Sequence, residues 1–169
     1  MKKIAFLFIV LATVQVSAQQ TWKTISQNSY SIKYPSDWVA DTASNIGADL
    51  LLYNEEDAAD GFAENINVVV QDLAGYDLDL DGFTELSEGQ IKTMVEGVKI
   101  ISSERVTKGA IPYHRMVYTG EQSGVTLKFL QHFYVKNEKA YVLTLTSMES
   151  EFYNYVKIGS TIFKSFRLK

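Results

Sequence analysis

The chain has 169 residues, 46% of them hydrophobic, with two prolines and no cysteine. This composition excludes a disordered or low-complexity chain, and without cysteine there is neither a disulfide nor a catalytic thiol. The formal net charge is −4, and an acidic chain without a basic stripe is a poor match for nucleic acid.

The first eighteen residues have the pattern of a bacterial export signal. Two lysines follow Met1, residues 4–14 form an apolar run, and Val16-Ser17-Ala18 places small residues before a cleavage point. The apolar run is shorter than the ~20 residues that a membrane-spanning helix needs. We therefore expect residues 1–18 to be a cleaved signal peptide. Residues 19–169 should then form a single domain, soluble in the periplasm or secreted, with no stable membrane insertion.

Period-two alternation of hydrophobic residues predicts β strands along most of the chain. The predicted strands lie at residues 30–34, 50–53, 66–70, 100–106, 113–118, 125–135 and 140–145. Turn residues near Gly109, between Gly120 and Gly124, and at Asn137-Glu138 separate the later strands. Because short turns join antiparallel neighbours, we predict an antiparallel sheet of about six or seven strands.

Two segments have helical spacing. The first is preceded and opened by acidic residues, which favour a helix N-terminus, and its apolar face is predicted to contain Phe83, Leu86, Gln90, Met94 and Val98. The second follows a capping-box pattern at Thr146–Glu149, and its stripe contains Phe152, Val156, Ile162, Phe163 and Phe166. Gly159 either weakens this helix or lets it approach the sheet closely. The predicted class is therefore α+β, with helices flanking the sheet.

Four patches together resemble the PsbP-like superfamily, which includes PsbP, Mog-type and DcrB-like proteins. They are residues 30–38 (an aromatic strand, Pro35 and Trp38), residues 64–68 with two asparagines, residues 139–144, and residues 165–167. Their order and spacing resemble those of the family over nearly all of residues 19–169. The chain is identified on this basis as a bacterial exported member.

The resemblance implies an α-β-α sandwich used as a non-catalytic binding or assembly module, with a protein partner in the cell envelope and no common catalytic residues. The lipobox cysteine of lipoprotein relatives is missing, and no counterpart of a photosystem-docking extension is present. Oxygen-evolution and Ran-binding roles are therefore not expected.

Catalytic chemistry would have to use His114 or His132, the two histidines of the chain. Both lie in strand patterns, and neither is near a nucleophile elbow. We expect both to be structural, with hydrogen bonds on a sheet face. The alternatives are a metal site in which both rings converge and, more remotely, a hydrolase.

Residues 34–91 have 14 acidic side chains and no Lys or Arg, and this acidic half of the chain contains a calcium-loop pattern. Asp77, Asp79 and Asp81 alternate, Gly82 is sixth and Glu88 is twelfth, with the carbonyl of Phe83 at the seventh position. Calcium is therefore the one cofactor that the sequence suggests, and a calcium-binding envelope protein is the alternative function. The competing interpretation is that these acids face water and cap the following helix.

The aromatic content is high, with ten Tyr and nine Phe. Six tyrosines of the second half either line a groove or fill the layers between sheet and helices: Tyr113, Tyr118, Tyr134, Tyr141, Tyr153 and Tyr155. Pro35, Trp38, Asn65 and Asn67 are expected to have architectural roles, with Trp38 sealing one end of the core.

Overall fold

The computed structural model describes residues 20–43, 47–54 and 62–169. The predicted signal peptide, residues 1–18, lies outside the described residues. The elements in chain order are β1 (Trp22–Ser26), β2 (Tyr30–Pro35), β3 (Val39–Asp41), β4 (Leu50–Tyr53), β5 (Asn65–Asp72), α1 (Leu80–Met94), β6 (Glu96–Val106), β7 (Tyr113–Gln122), β8 (Val125–Lys136), β9 (Lys139–Met148), α2 (Phe152–Ser165) and β10 (Arg167–Leu168).

The strands form two antiparallel sheets. The larger has seven strands in the order β3-β4-β5-β9-β8-β7-β6, and the smaller has the order β1-β2-β10. The predicted α+β class is confirmed, and so is the predicted antiparallel sheet of about six or seven strands, which has seven. The short strands β1, β3 and β10 were not predicted.

The seven-stranded sheet is covered on both faces, because side chains alternate along each strand. One face packs α2 and the small sheet in a core that includes Tyr30, Leu130 and Leu143. The other face packs α1 in a core that includes Met116 and Phe133. The result is an α-β-α sandwich with two hydrophobic cores.

Helix α1 was predicted in the right place but in the wrong rotational phase. Its buried residues are Leu80, Phe83 and Thr84, and Ile91 is packed against the same core. Leu86 and Met94, which the sequence assigned to the buried face, are 54% and 82% exposed, and Val98 belongs to β6. Residues 80, 84, 87 and 91 repeat at the helical spacing, and this stripe faces the sheet.

The capping box predicted at residues 146–149 is wrong. Thr146 pairs with Asn65 and Met148 pairs with Leu127, so the backbone here completes β9. Helix α2 begins six residues later than Thr146, and Glu151 at its N-cap makes no side-chain capping bond. Sheet pairing has overridden the local capping signal.

Gly159 lets α2 approach the sheet closely, which confirms one of the two predicted roles. A Cβ at this position would lie 2.8 Å from Cδ2 of Leu145 on β9, which is inside van der Waals contact. Leu145 is fully buried. The absence of a side chain therefore sets the distance between α2 and the sheet.

Trp38 is 6% exposed and belongs to the core that packs α2. Its backbone N–H donates to the carbonyl of Pro35 at 3.1 Å, which fixes the turn between β2 and β3. The architectural role predicted for Trp38 agrees with this burial. The tryptophan fills a large volume at the junction of the two sheets.

We predict that Trp38→Ala lowers the free energy of unfolding by about 3–5 kcal/mol, because it removes a large buried aromatic side chain and leaves a cavity. Urea denaturation measures this loss. Trp22→Ala is the matched control: Trp22 is 38% exposed, so its loss should be below about 1 kcal/mol. Similar losses for the two variants would contradict the burial argument.

Candidate functional site

An aromatic cleft of about 550 Å³ opens where the C-terminal end of α2 meets β7 and β8. Its size lies within the range of small-molecule sites. Its lining residues are Lys108, Gly109, Ala110, Ile111, Tyr113, His132, Tyr134, Phe163, Lys164, Phe166, Arg167 and Leu168. We refer to this set as the aromatic cleft. It contains no acidic side chain and three basic ones.

His132 forms part of the cleft wall and is only 8% exposed. Tyr113 stacks on its ring with centroids 4.4 Å apart, and Phe163 of α2 meets it edge-on at 4.8 Å. Its Nδ1 atom is buried and has no hydrogen-bond partner within the described ranges. Burial, with a smaller contribution from Arg115, lowers the pKa of His132 from 6.5 to about 3. The imidazole is therefore neutral at physiological pH.

The basic residues of the cleft differ in how they are engaged. Arg167 Nη1 donates to the carbonyls of Lys164 and Phe166, at 2.8 and 2.7 Å, and so satisfies the end of α2. Lys108 and Lys164 are exposed, and within the described part of the chain neither forms an ion pair. Their ammonium groups give the cleft a positive rim.

A second, more open hollow of about 820 Å³ lies beside α1. In it, the Ser103 hydroxyl donates to Oε2 of Glu88 at 3.1 Å and lies 2.8 Å from Nε2 of His114. Lys92 bonds the other carboxylate oxygen of Glu88 at 2.7 Å. This bond is the main cause that lowers the pKa of Glu88, and the bond from Ser103 adds to it. Glu88, Lys92, Ser103 and His114 are thus joined in one hydrogen-bonded network.

The hydrogen-bond order around Ser103 is the reverse of that in a catalytic triad. A carboxylate only accepts, so the single hydroxyl proton of Ser103 points to Glu88 and the Nε2–H of His114 must donate to Ser103. In a serine nucleophile, the imidazole accepts the hydroxyl proton, and the acid orients the imidazole from its other nitrogen. The expected structural role of His114, hydrogen-bonded on a sheet face, agrees with this arrangement.

The two histidines lie on opposite faces of the large sheet. His114 pairs across from Phe133 on the α1 face, whereas Arg115 pairs with His132, whose ring contacts Phe163 of α2. The converging two-histidine metal site considered from the sequence is therefore not formed. The expected hydrogen bond of His132 on its face is also not found, because its Nδ1 is unpartnered.

The residues of the calcium-loop pattern are spread over a turn and the first half of α1. Asp77 has a positive φ of 48°, and Asp79 is the N-cap, accepting from the backbone N–H of Gly82 at 2.8 Å. Asp81 forms an ion pair with Arg105 of β6. The carbonyl of Phe83 accepts from the Ser87 hydroxyl at 2.8 Å.

This arrangement is a capped helix, and Glu88 lies two turns into it. Residues 80–88 are helical, so convergence on one ion would require the first turns of α1 to unwind. No group of three or more His, Asp or Glu residues placed to hold a metal occurs in the described ranges. Calcium binding by Asp77, Asp79, Asp81, Phe83 and Glu88 stays a prediction from the sequence.

The tyrosines are divided between the two roles that the sequence left open. Tyr113 and Tyr134 line the aromatic cleft, whereas Tyr118 and Tyr141 are buried in the two cores. Tyr153 is 78% exposed. Asn65 donates to the carbonyl of Ala63 at 3.0 Å, which is the local backbone contact expected of it.

The cleft itself was not predicted as a site. Its residues come from three stretches of sequence, 108–113, 132–134 and 163–168, and only the fold brings them together. The sequence signal that points to it is the aromatic content of the second half, together with twelve basic and six acidic residues from Lys92 onward. In the described segments, no helix is long and apolar enough to cross a membrane.

Comparisons with known proteins identify the architecture. The PsbP family model matches residues 23–168. The solution structure of the cyanobacterial PsbP, CyanoP, from Synechocystis sp. PCC 6803 has a TM-score of 0.68 at 13% identity, covering 94% of this chain and 99% of that one. LpqN of Mycobacterium tuberculosis, described as involved in cell envelope biogenesis, has a TM-score of 0.69 at 15% identity, covering 89% and 91%.

A protein of unknown function from Pseudomonas aeruginosa is also similar, with a TM-score of 0.54 at 11% identity and coverages of 89% and 85%. A search of curated protein sequences finds no match to the chain. At these identities, the structural similarities concern the fold alone.

We predict that lowering the pH from about 7.5 to about 5 reduces the free energy of unfolding of the wild type by about 2 kcal/mol more than that of His132→Phe. The unfolded chain binds a proton near pH 6.5, whereas folded His132 does so only near pH 3. The stability that neutral His132 contributes is therefore lost as the pH falls through this window. Phe keeps a ring between Tyr113 and Phe163, and urea unfolding at the two pH values measures the difference.

His114→Gln is the control for this experiment, because it removes the other histidine and keeps His132. It should retain most of the wild-type pH dependence. The same pH dependence in wild type and His132→Phe would contradict the buried, neutral state of His132.

The calcium hypothesis predicts that millimolar calcium raises the melting temperature, since a ligand bound only by the folded state stabilises it. Asp77→Ala combined with Glu88→Gln should abolish the shift. Asp37→Ala combined with Glu149→Gln makes the same charge change outside the loop, and this variant should retain the calcium-induced rise in melting temperature. If the calorimetric melting curves coincide in calcium and in chelator, the calcium hypothesis is contradicted and the capped-helix interpretation of these acidic residues remains.

Proposed function

Because the chain belongs to the PsbP family, we propose that it is a non-catalytic, extracytoplasmic binding or assembly module of the cell envelope. The observation that carries the binding role is the aromatic cleft. It is concave, lined by aromatic and basic side chains, and holds no carboxylate and no serine or threonine hydroxyl among its lining residues. Such a surface suits recognition better than acid–base or nucleophilic chemistry.

The order of hydrogen bonds around Ser103 supports the non-catalytic part of the proposal. The Ser103 hydroxyl directs its proton to Glu88, and the lowered pKa of Glu88 makes that carboxylate a weak base, so the hydroxyl is poorly activated as a nucleophile. The remaining histidine, His132, has a pKa of about 3, far from the neutral value that suits a general base. A hydrolase is therefore the weaker proposal.

The extracytoplasmic part is supported by the signal-peptide pattern of residues 1–18. It is also supported by the likeness in fold to LpqN, a protein described as involved in cell envelope biogenesis. We propose that the partner is a protein of the same envelope. The acidic net charge argues against nucleic acid as the partner.

The full chain with a C-terminal tag, expressed in a bacterium and cross-linked in intact cells, tests both parts. We expect an intact mass that begins at Gln19, recovery from the periplasmic fraction or the medium, and capture of an envelope protein. Reciprocal capture by that protein should then recover the chain.

The matched control is the same tagged chain without residues 2–18. It should stay in the cytoplasm and capture no envelope protein. An uncleaved mass in the membrane fraction would contradict the export proposal, and failure of reciprocal capture would contradict the protein partner.

A further inference from the structure

We propose that the aromatic cleft binds a small planar anion, an aromatic carboxylate that carries a hydroxyl group at its far end. The inference rests on the proposed binding role of the cleft and names the chemistry of its ligand. Three features of the cleft, each matched to one part of such a molecule, lead to this assignment.

The first feature is the flat apolar wall. Tyr113 stacks on His132, with centroids 4.4 Å apart, and on Tyr134, at 5.3 Å, with interplanar angles of 30° in both pairs. Phe166 packs against Tyr134 at 5.3 Å. A planar aromatic ligand gains by packing against the ring surface that these contacts leave uncovered. The cleft volume of about 550 Å³ is ample for a two-ring molecule.

The second feature is the sign of the rim. Lys108 and Lys164 contribute ammonium groups with no ion-pair partner in the described part of the chain, and the cleft lining contains no acid. The protein as a whole is acidic, so the cleft differs in sign from the chain's net charge. A carboxylate at the rim would meet two cations, and a cationic ligand would be repelled.

The third feature is the unpartnered atom in the wall. His132 is 8% exposed, and its Nδ1 has no hydrogen-bond partner within residues 20–43, 47–54 and 62–169. Buried polar groups in native proteins are nearly always paired, and His132 lines the cleft, so a ligand that enters between the cleft rings is in a position to supply the missing partner of this buried atom. A hydroxyl group both donates and accepts, and it can therefore pair with either tautomer of the neutral imidazole.

The hollow beside α1 does not offer the same combination. Four of its polar side chains bond one another: Glu88 bonds Lys92 and Ser103, and Ser103 bonds His114. Asp81, Glu85 and Glu88 also line it, so an anion would be repelled there. The aromatic cleft is the better ligand site, although the hollow is larger.

Isothermal titration calorimetry with three naphthalene compounds measures how much each of the three features contributes to affinity. The probes are 6-hydroxy-2-naphthoate, 2-naphthoate without the hydroxyl, and 2-naphthol without the carboxylate. We expect 6-hydroxy-2-naphthoate to bind residues 19–169 about tenfold more tightly than 2-naphthol does, because 2-naphthol lacks the carboxylate that contacts the rim. We expect it to bind about fivefold more tightly than 2-naphthoate does, because 2-naphthoate lacks the hydroxyl group and so makes one hydrogen bond fewer.

Variants assign each difference to its residues. Lys108→Gln combined with Lys164→Gln should reduce the preference for 6-hydroxy-2-naphthoate over 2-naphthol to about twofold or less. His132→Phe keeps an aromatic ring and should remove the preference for the hydroxylated naphthoate. Lys99→Gln combined with Lys157→Gln removes two exposed lysines outside the cleft and should leave all three affinities unchanged. Melting curves confirm that each variant is folded.

The outcomes distinguish this inference from the proposed function. No binding of any probe, or binding that is the same in all variants, overturns the ligand assignment. Capture of a protein partner by the tagged chain would then still support the proposed envelope role. Tighter binding of 2-naphthol than of either naphthoate would overturn the anionic class, because the rim would then contribute nothing.

Discussion

The long antiparallel ladder of β7, β8 and β9 is the constraint on which the rest of the structure depends. These strands are 10, 12 and 10 residues long and pair over nearly their whole length. Since neighbouring residues point to opposite faces, one ladder supplies the inner surface of two separate cores. A one-residue slip would exchange the two sets of side chains, so the register fixes both cores at once.

The same alternation separates the two polar regions of the protein. Odd-numbered Phe133 and even-numbered His132 are neighbours in sequence, yet one packs under α1 and the other contacts α2. The Glu88–Ser103–His114 network and the aromatic cleft are therefore isolated from each other by the thickness of the sheet. The sheet keeps the hydrogen bonds of the two regions separate, which is why a single protein can carry a closed polar network and an open cleft.

The strands were predictable from the sequence because period-two alternation extends over long segments, whereas details that depend on tertiary contacts were not. The capping-box pattern at Thr146 is locally valid, but in the folded chain β5 and β8 pair with that backbone instead. The phase of α1 was missed because Leu86 and Met94 look apolar in sequence, although the sheet contacts the neighbouring stripe instead. Strands of two, three or five residues, such as β10, β3 and β1, have too little pattern to detect. Acids spaced for calcium are also acids placed to cap and flank a helix, and the sequence alone does not separate these two uses of Asp79 and Asp81.

The aromatic cleft depends on a residue that does not line it. Gly159 allows α2 to approach Leu145 more closely than any side chain would, and four residues later Phe163 meets the ring of His132 at 4.8 Å. That contact closes one wall of the cleft, and the carbonyls at the end of the same helix hold Arg167. The placement of α2 thus links the position of Gly159, the burial of His132 and the positive rim of the cleft. A relative with the same fold and a larger residue at this position would hold α2 farther from the sheet, and its cleft would have a different depth. Family membership alone therefore gives the sandwich, whereas the ligand chemistry depends on the residues at which α2 meets β7 and β8.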